Sequence, residues 1–229
     1  SINKNKIKSY KLALECDPTS AFGGIVSCNF KINKKVAIEL NKTFLEVVIC
    51  NGIDIDALKI LKKKKNLRII DAHNLELHDM QNIVSNFNTI LIQTSDVKTF
   101  SKKNFTVVSK IKPNLKTLEN LIFAFNICRF VKSNAIVLAN NGTTIGIGSG
   151  QPNRLDSCKI AINKMNKFKK NKIYDQIVAA SDAFFPFVDG IETLVQGGVN
   201  AIIQPSGSIN DKEIIKFANQ TGTILVFSN

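Results

Sequence analysis

Residues 201–227 read AIIQPSGSINDKEIIKFANQTGTILVF, and the fold class can be inferred from this segment. Its apolar ends, residues 201–204 and 223–227, have the length and the β-branched content of strands. Between them, residues 209–219 repeat apolar side chains at helical spacing, and Gly222 is a typical helix stop. The stretch therefore predicts a β-α-β unit, and with it a layered α/β fold.

The same alternation of strands and helices extends outward through the rest of the chain. The predicted strands cover residues 25–30, 46–50, 67–70, 89–93, 135–139 and 143–147, and the predicted helices cover residues 7–14, 36–44, 55–61, 117–131 and 155–168. Asn141-Gly142 joins the last two strands as a hairpin turn, because both residues tolerate positive φ. Residues 71–88 are polar and unpatterned, so we expect a long loop there. We divide the chain into a first α/β subdomain, residues 1–110, and a second, residues 111–229.

Length and composition exclude several classes of protein. The chain has 229 residues, of which 44% are hydrophobic, which is enough for a core and too apolar for a disordered chain. No window approaches the 18 consecutive apolar residues that a membrane-spanning helix needs. The five cysteines are widely spaced in apolar surroundings, which indicates reduced core residues of a cytoplasmic protein rather than a disulfide framework.

The net charge of +13 suggests nucleic-acid binding, but the kind and position of the charges weaken that interpretation. Only 3 of the 31 basic residues are Arg, the residue whose bidentate fork reads bases and phosphates. Residues 173–229 hold two Lys against six Asp and Glu, a net charge of −4. The four lysines at 62–65 end a helical pattern, where cations favour the helix dipole. We expect no nucleic-acid and no membrane partner, and a basic nucleic-acid-binding module is the alternative.

A Gly-rich segment, residues 146–150, ends the predicted hairpin and precedes Arg154. The segment lacks the third glycine of a dinucleotide fingerprint, because Gln151 occupies that position. Two interpretations of this Gly-rich segment remain: a tight turn, or a ligand loop whose backbone approaches a bound molecule closely. Arg154 favours the ligand loop, since the chain otherwise uses Lys almost throughout.

Two further segments have the composition of binding loops. Residues 183–189 read AFFPFVD, directly after Asp182. Core packing explains two of the three aromatic rings, and the third, between carboxylates, suits a stacked heterocycle that donates hydrogen bonds. Residues 205–208 read PSGS and open a helix, where Ser208 and Asp211 fit a capping box. The same helix start offers backbone N–H groups to a carboxylate, carbonyl or phosphate.

The sequence does not support a metal site. Its two histidines, His73 and His78, lie in the polar stretch, and no two cysteines have the CxxC spacing of a zinc site. The signatures of zinc deaminases and of Ser or Cys hydrolases are absent from the sequence as well. We therefore expect no metal requirement.

Five segments taken together point to one family. In chain order they are DPTSAFGG at 17–24, VKSNA at 131–135, IGIG at 145–148, ASDAFFPF at 180–187 and IQPSGS at 203–208. In these segments the chain resembles, over essentially its whole length, the AICAR transformylase domain of the bifunctional purine biosynthesis protein family. The resemblance implies transfer of a formyl group from 10-formyltetrahydrofolate to the 5-amino group of AICAR, which gives FAICAR in IMP synthesis. It also implies a cytoplasmic, multifunctional homodimer with sites between subunits, built from two cytidine-deaminase-like α/β/α subdomains without zinc.

Carried over position by position, the resemblance implies nine residues that contact ligands. They are Gly23, Glu46, Asn134, Arg154, Leu155, Phe184, Asp189, Ser208 and Ile209. In this interpretation Asn134 orients the amine or carboxamide of AICAR. Arg154 binds an anionic or carbonyl group, and Phe184 packs against a ring. Asp189 and the helix start at Ser208 anchor the polar edge of the folate.

The chain departs from the family pattern in two places, and two of the family's segments have no counterpart in it: the Lys-His segment and a closing segment with a further substrate-binding Arg, which the resemblance places after Asn229. Pro152 and Asn153 stand where the family usually has Met-Ser, and Val188 stands where it usually has Arg. The family's Lys-His pair, with the general base, belongs to a segment upstream of Ser1, so no catalytic residue is assigned within residues 1–229. We expect a piece cut at both ends that folds partly but does not catalyse formyl transfer alone. A non-catalytic remnant of the fold is a further alternative.

Overall fold

The computed structural model of the chain describes residues 1–75, 81–168 and 172–228. Its elements, in chain order, are α1 Lys6–Cys16, β1 Gly24–Cys28, α2 Lys34–Leu40, β2 Leu45–Cys50, α3 Ile55–Leu61, β3 Arg68–Asp71, β4 Gln81–Asn86, β5 Thr89–Thr94, β6 Phe105–Val107, α4 Leu115–Cys128, β7 Ile136–Asn140, β8 Thr143–Gly148, α5 Arg154–Phe168, β9 Ile177–Ser181, α6 Val188–Gln196, β10 Val199–Pro205, α7 Asp211–Thr221 and β11 Ile224–Ser228. They form two compact units, a smaller one of Pro18–Lys98 and a larger one of Ser1–Asp17 with Thr99–Asn229.

The larger unit is built on a six-stranded mixed sheet with the strand order β6-β11-β10-β9-β7-β8. Strands β9, β10 and β11 are parallel to one another. Strand β7 runs antiparallel to both β9 and β8, and β6 runs antiparallel to β11. The predicted α/β class is therefore confirmed, and so is the β-α-β unit at 201–227, which forms β10, α7 and β11.

Both faces of this sheet are buried, which explains why its central strands are apolar at nearly every position. On one face, Val137 and Ala139 of β7 pack in a cluster with Leu121 of α4. On the other face, Ile136 and Leu138 belong to a second cluster that contains residues of α5, α6 and α7. Alternate side chains of one strand thus enter different layers, and the larger unit is an α/β/α sandwich.

The hairpin predicted at Asn141-Gly142 is present between β7 and β8. Asn141 has a φ of 49° and Gly142 a φ of 66°, the backbone that a two-residue turn of this kind requires. The flanking residues Asn140 and Thr143 are paired across the ladder. Local turn chemistry was sufficient to locate this hairpin from the sequence.

The smaller unit contains a three-stranded parallel sheet with the order β1-β2-β3. The helices α2 and α3 connect these strands, as parallel neighbours require. Asn33 caps α2, because its Oδ1 accepts a hydrogen bond of 3.0 Å from the Val36 amide. Val48 of the central strand is fully buried, whereas the edge strand β3 is largely exposed.

The expected long loop at residues 71–88 is wrong for its second half. Strand β4 pairs with β5 in a two-stranded antiparallel ribbon, and Phe87 at the turn has a φ of 48°. Every side chain of both strands is exposed. Because neither face is buried, the strands need no alternation of apolar and polar residues, and the sequence shows none.

The two compact units do not divide at residue 110. Strand β6 pairs with β11, and α1 packs against β8, so residues 1–17 and 99–110 belong to the larger unit. The division into subdomains 1–110 and 111–229, and their cytidine-deaminase-like character, stay predictions.

All five cysteines are free thiols and buried, as the sequence predicted for core residues. They are Cys16, Cys28, Cys50, Cys128 and Cys158. Burial raises the pKa of Cys158 to about 12 and that of Cys128 still further. Cys128 and Cys158 are therefore unreactive at neutral pH, because burial strongly disfavours the reactive thiolate.

Candidate functional site

The candidate site lies at one edge of the six-stranded sheet. The parallel strands β9 and β10 end at this edge, and β7 begins there at Ile136, two residues after Asn134. Helix α5 also begins there at Arg154, after β8 has ended. Open α/β sheets place their ligand sites outside the carboxyl ends of the strands, so this edge is where binding residues are expected.

Arg154 and Asp182 form the central contact of the site. Nη1 of Arg154 donates to Oδ1 of Asp182 at 2.5 Å and to Oγ of Ser181 at 3.1 Å. The Arg154 side chain is 10% exposed and that of Asp182 is 18% exposed. Arg154 is the first residue of α5, where the helix dipole disfavours a cation. The carboxylate of Asp182 offsets that cost and fixes the guanidinium in one place.

Asn134 belongs to the same hydrogen-bonded cluster. Its Nδ2 donates to the Gln151 carbonyl at 2.8 Å, and its own carbonyl accepts from Oγ of Ser157 at 2.8 Å. The next residue, Ala135, donates its amide to Oδ1 of Asp182 at 3.1 Å. The segments before β7, after β8 and after β9 are therefore joined around one carboxylate.

The departure at Asn153 has a structural explanation. Its Oδ1 accepts from the Asp156 amide at 2.8 Å, and its Nδ2 donates to the Asp156 carboxylate at 2.6 Å. Asn153 therefore acts as the cap of α5, a position that also suits the Ser of the family pattern. Leu155 follows in the first turn and is half-buried. Pro152 is exposed beside the cap, and nothing in the structure explains its presence.

The aromatic loop differs from the expectation that two of its rings pack in the core. Only Phe185 is buried, at 1% exposure, whereas Phe184 and Phe187 are 39% and 64% exposed. The Phe185 ring occupies the space where a Cβ at Gly190 would lie, 2.5 Å from its Cδ1. Asp189 is exposed in the first turn of α6. Two aromatic faces are thus free for a flat ligand.

The capping box predicted at Ser208 and Asp211 is wrong. Helix α7 begins at Asp211 rather than at residue 209, and Ser208 lies in the preceding loop. Oγ of Ser208 accepts from the Asn210 amide at 3.2 Å, and the Asp211 carboxylate accepts from the Gly207 amide at 2.9 Å. These bonds close the loop on itself, so Ser208 and one carboxylate oxygen of Asp211 find partners without a helical turn.

The Ser208 loop lies beside the aromatic loop. Nδ2 of Asn210 donates to the carbonyl of Pro186 at 2.5 Å, which ties the two loops together. Ile209 is almost fully exposed, and Ser208 is half-buried. Six of the nine residues implied by the resemblance thus lie in two groups at this edge, around Asp182 and around Asn210, and Asp189 follows the aromatic loop in α6.

The other two implied residues, Gly23 and Glu46, lie together in the smaller unit. Gly23 has a φ of 71°, which favours glycine, and a Cβ there would lie 3.6 Å from Oε1 of Glu46. The Gly23 amide donates to the Phe44 carbonyl at 3.0 Å. Glu46 is exposed on β2, so its carboxylate is available to a ligand.

The histidines do not form a catalytic arrangement in the described ranges. Nδ1 of His73 lies 2.9 Å from Oδ1 of Asp71, and this hydrogen bond lowers the pKa of the Asp71 carboxyl. His78 lies outside the described residues. Within them, no group of three or more His, Cys, Asp and Glu side chains could hold a metal ion. The expected lack of a metal requirement stays a prediction.

The cavity that the structure describes in most detail lies away from the candidate site. A cavity of about 360 Å³ lies at the opposite end of β7 and β8 and is lined, among others, by Cys16, Asn141 and Tyr174. None of the nine implied residues is in its lining as described. No helix in the described ranges has both the length and the apolar character needed to cross a bilayer.

Comparisons with known proteins agree with one another. The family model AICARFT/IMPCHase bienzyme matches residues 1–164. The bifunctional purine biosynthesis protein PurH of Anoxybacillus flavithermus is 42% identical over 222 residues, which are 96% of this chain and 42% of that protein. The PurH protein of Ligilactobacillus salivarius is 43% identical over 94% of this chain, and that of Buchnera aphidicola subsp. Schizaphis graminum is 42% identical over 100% of it.

The match covers most of this chain but only part of each relative. The chain spans 42–44% of the length of these relatives. The family model covers well over half of the chain. The chain therefore belongs to the AICARFT/IMPCHase bienzyme family.

Proposed function

We propose that this chain acts in purine biosynthesis by binding the substrates of AICAR formyltransferase. The reaction transfers the formyl group of 10-formyltetrahydrofolate to the 5-amino group of AICAR and yields FAICAR and tetrahydrofolate. A nitrogen–carbon bond forms at the amine while the bond between the formyl carbon and the folate nitrogen breaks. The observation that carries the proposal is the cluster of Asn134, Arg154 and Asp182 at the sheet edge, in a chain of this family.

The chemistry of this cluster suits AICAR. Among the described residues, the hydrogen bonds of Arg154 use only Nη1, so its other N–H groups can donate to an anionic or carbonyl group. Charge-assisted bonds of this kind are the strong ones in a partly desolvated site. Asn134 adds an amide at the same edge, which suits the amine or carboxamide of AICAR.

The exposed aromatic faces and the Ser208 loop suit the two flat rings of the reaction. Phe184 offers a half-exposed ring to an imidazole or a pterin. Asp189 and the loop at Ser208 and Ile209 offer polar contacts to the edge of a folate. Holding both substrates in a reactive orientation supplies a large part of the rate in a bimolecular transfer. In this proposal the residues of this chain bind and orient.

The proton transfer of the reaction is assigned to the family's Lys-His pair, which has no counterpart in residues 1–229. A positioned general base typically contributes about 10²–10⁴ in rate. The proposal therefore separates binding, which this chain provides, from turnover, which needs the Lys-His segment. A cytoplasmic homodimer with sites shared between subunits, without a metal, is part of the same proposal.

Calorimetric titration with AICAR tests the proposal, with formyl transfer measured in parallel. We expect saturable binding with one AICAR per chain, and much faster transfer by a chain extended upstream through a Lys-His segment. Arg154→Lys should weaken AICAR binding by about 10-fold or more, because Lys cannot reproduce the guanidinium fork. Lys63→Ala, at an exposed lysine, is the control and should bind normally.

Two results would contradict the proposal as a whole, and a third would contradict one part of it. If this chain transfers formyl groups as fast as the extended one, a base lies within residues 1–229. If the chain does not bind AICAR but binds duplex DNA, with an affinity that decreases steeply as the salt concentration rises, it is a basic nucleic-acid-binding module. Stoichiometric zinc in the native protein, found by elemental analysis, would overturn the proposal that the site works without a metal.

A further inference from the structure

Gln204 is a buried polar residue that the candidate site does not yet explain. It is fully buried, and neither Oε1 nor Nε2 has a hydrogen-bond partner among the described residues. An unpaired amide inside a protein costs folding free energy, so such groups are rare and call for an explanation. A partner present only in the functional state is one such explanation.

The strand register places Gln204 next to the central contact of the site. On β10, Ile203 is paired with Ala180 of β9, so the following residue, Gln204, stands beside Ser181. Adjacent strands are about 4.8 Å apart. Oγ of Ser181 accepts the hydrogen bond of Arg154. The Gln204 amide is therefore one strand away from the guanidinium that is proposed to bind substrate.

Gln204 and Ser181 also share a face of the sheet. Ile202 and Ala179, each two residues earlier, belong to the cluster on the side of α5, α6 and α7. Because side chains two positions apart lie on the same face, Gln204 and Ser181 lie on that side as well. Phe227, paired with Gln204 across β11, is in the same cluster. The side chain of Gln204 on β10 therefore lies between those of Ser181 on β9 and Phe227 on β11.

The loop that follows Gln204 is thinly packed. Ser206 and Gly207 are exposed, and a Cβ at Gly207 would find no atom within 4 Å. At the far end of the loop, Oδ1 of Asp211 is a second buried atom without a described partner. A loop with open space around it can move to admit a ligand, and both ends of this one carry unused hydrogen-bonding capacity.

We propose that Gln204 is a specificity-determining residue whose amide pairs with the amide edge of the bound heterocycle. Its carbonyl accepts and its NH₂ donates, so it fits a ligand edge that carries one donor beside one acceptor, as Gln does when it reads adenine. This inference rests on the proposed function. Two substrates have this edge: the carboxamide of AICAR and the lactam of the pterin in the folate.

Isosteric replacement of Gln204 separates binding from folding. Gln204→Met keeps the length of the side chain and removes both polar atoms, and Gln204→Leu is a second apolar variant. Gln196→Met makes the same chemical change at an exposed position of α6 and is the matched control. Each variant is titrated with AICAR, with tetrahydrofolate and with 5-aminoimidazole ribonucleotide, which lacks the carboxamide. Thermal unfolding is measured on the same samples.

The expected result is a loss of affinity of about 10-fold or more for one of the two amide ligands, with Gln196→Met unchanged. A loss for AICAR but not for 5-aminoimidazole ribonucleotide assigns the contact to the carboxamide, and a loss confined to tetrahydrofolate assigns it to the pterin. The unfolding midpoint should stay constant or rise by about 2–4 °C, because an unpaired amide has been removed.

Two outcomes would overturn the inference without touching the proposed function. In the first, the unaltered chain binds both ligands and both Gln204 variants bind them equally well. In the second, both variants lower the unfolding midpoint and lose all ligands alike, so the amide serves folding. Failure of the unaltered chain to bind any of the ligands would instead overturn the proposed function and this inference together.

Discussion

The ion pair of Arg154 and Asp182 is the site contact whose loss should most affect stability. The two side chains are 10% and 18% exposed. Arg154→Ala removes the cation and leaves the Asp182 carboxylate nearly buried, with the Ala135 amide as a remaining donor at 3.1 Å. Removing one partner of a buried pair costs about 3–5 kcal/mol, because the other charge stays desolvated and unpaired.

Urea denaturation followed by circular dichroism measures this cost against a matched control. Lys159, on the same helix, lies 3.9 Å from Asp156, and these side chains are 55% and 46% exposed. Lys159→Ala should therefore lower the free energy of unfolding by no more than about 1 kcal/mol. Arg154→Ala should lower it by about 3–5 kcal/mol, or the thermal midpoint by roughly 6–20 °C.

A second substitution tests the physical reason for the loss. Asp182→Asn, introduced together with Arg154→Ala, removes the stranded charge and should recover on the order of 1–3 kcal/mol. The reasoning is refuted if Arg154→Ala is no more destabilising than Lys159→Ala. It is also refuted if the double variant recovers nothing, since the carboxylate would then not be desolvated.

Three further predictions concern the surroundings of the site. Phe184→Ala should weaken ligand binding without changing the urea midpoint, because the Phe184 ring is partly exposed. Phe185→Ala removes a buried ring and should lower the free energy of unfolding by about 3–5 kcal/mol. An equal loss of stability in both variants would contradict the difference in exposure. Because burial raises its pKa to about 12, the Cys158 thiol should react with Ellman's reagent at pH 8 only after unfolding in urea, and rapid labelling of the native protein would show that it is accessible. Gly148→Ala should destabilise by about 1–3 kcal/mol, since the new Cβ would lie 1.9 Å from the Ser157 carbonyl, and an unchanged unfolding midpoint would mean that α5 moves freely.

The parts of the fold that could be predicted from the sequence are those that bury both faces. The predicted strands at 135–139 and 201–204 are apolar at every position except Gln204, because α4 covers one side of the sheet and α5 to α7 cover the other. Strand β5 was predicted at residues 89–93, but its partner β4 was missed, because the ribbon that they form buries neither face. The capping box at Ser208 was wrong because the same side chains can also close a loop, and local spacing does not distinguish the two.

The candidate site shows a similar division. Arg154 could be singled out because it is a rare Arg after a Gly-rich segment. Its partner Asp182 stands 28 positions away, and only the pairing of β7 with β9 brings the two segments together. Gln204 gave no signal at all, since one polar residue in an apolar strand is compatible with ordinary core packing. Its proposed role is inferred from the structure, in which neither polar atom of its side chain has a described hydrogen-bond partner.

The pairing of β6 with β11 has a consequence for how the chain is made. Oγ of Ser109, just after β6, accepts from the Leu225 amide across 116 positions of the sequence. A ribosome that adds 5–20 residues per second needs roughly 6–23 s to deliver that partner. During this interval β6 has been synthesised but its neighbour β11 has not. Strand β10 also lacks β11, so its edge on that side is unpaired as well. The larger unit therefore cannot complete its sheet until β11 has been synthesised, and its nascent form presents unpaired strands to chaperones and to other copies of itself.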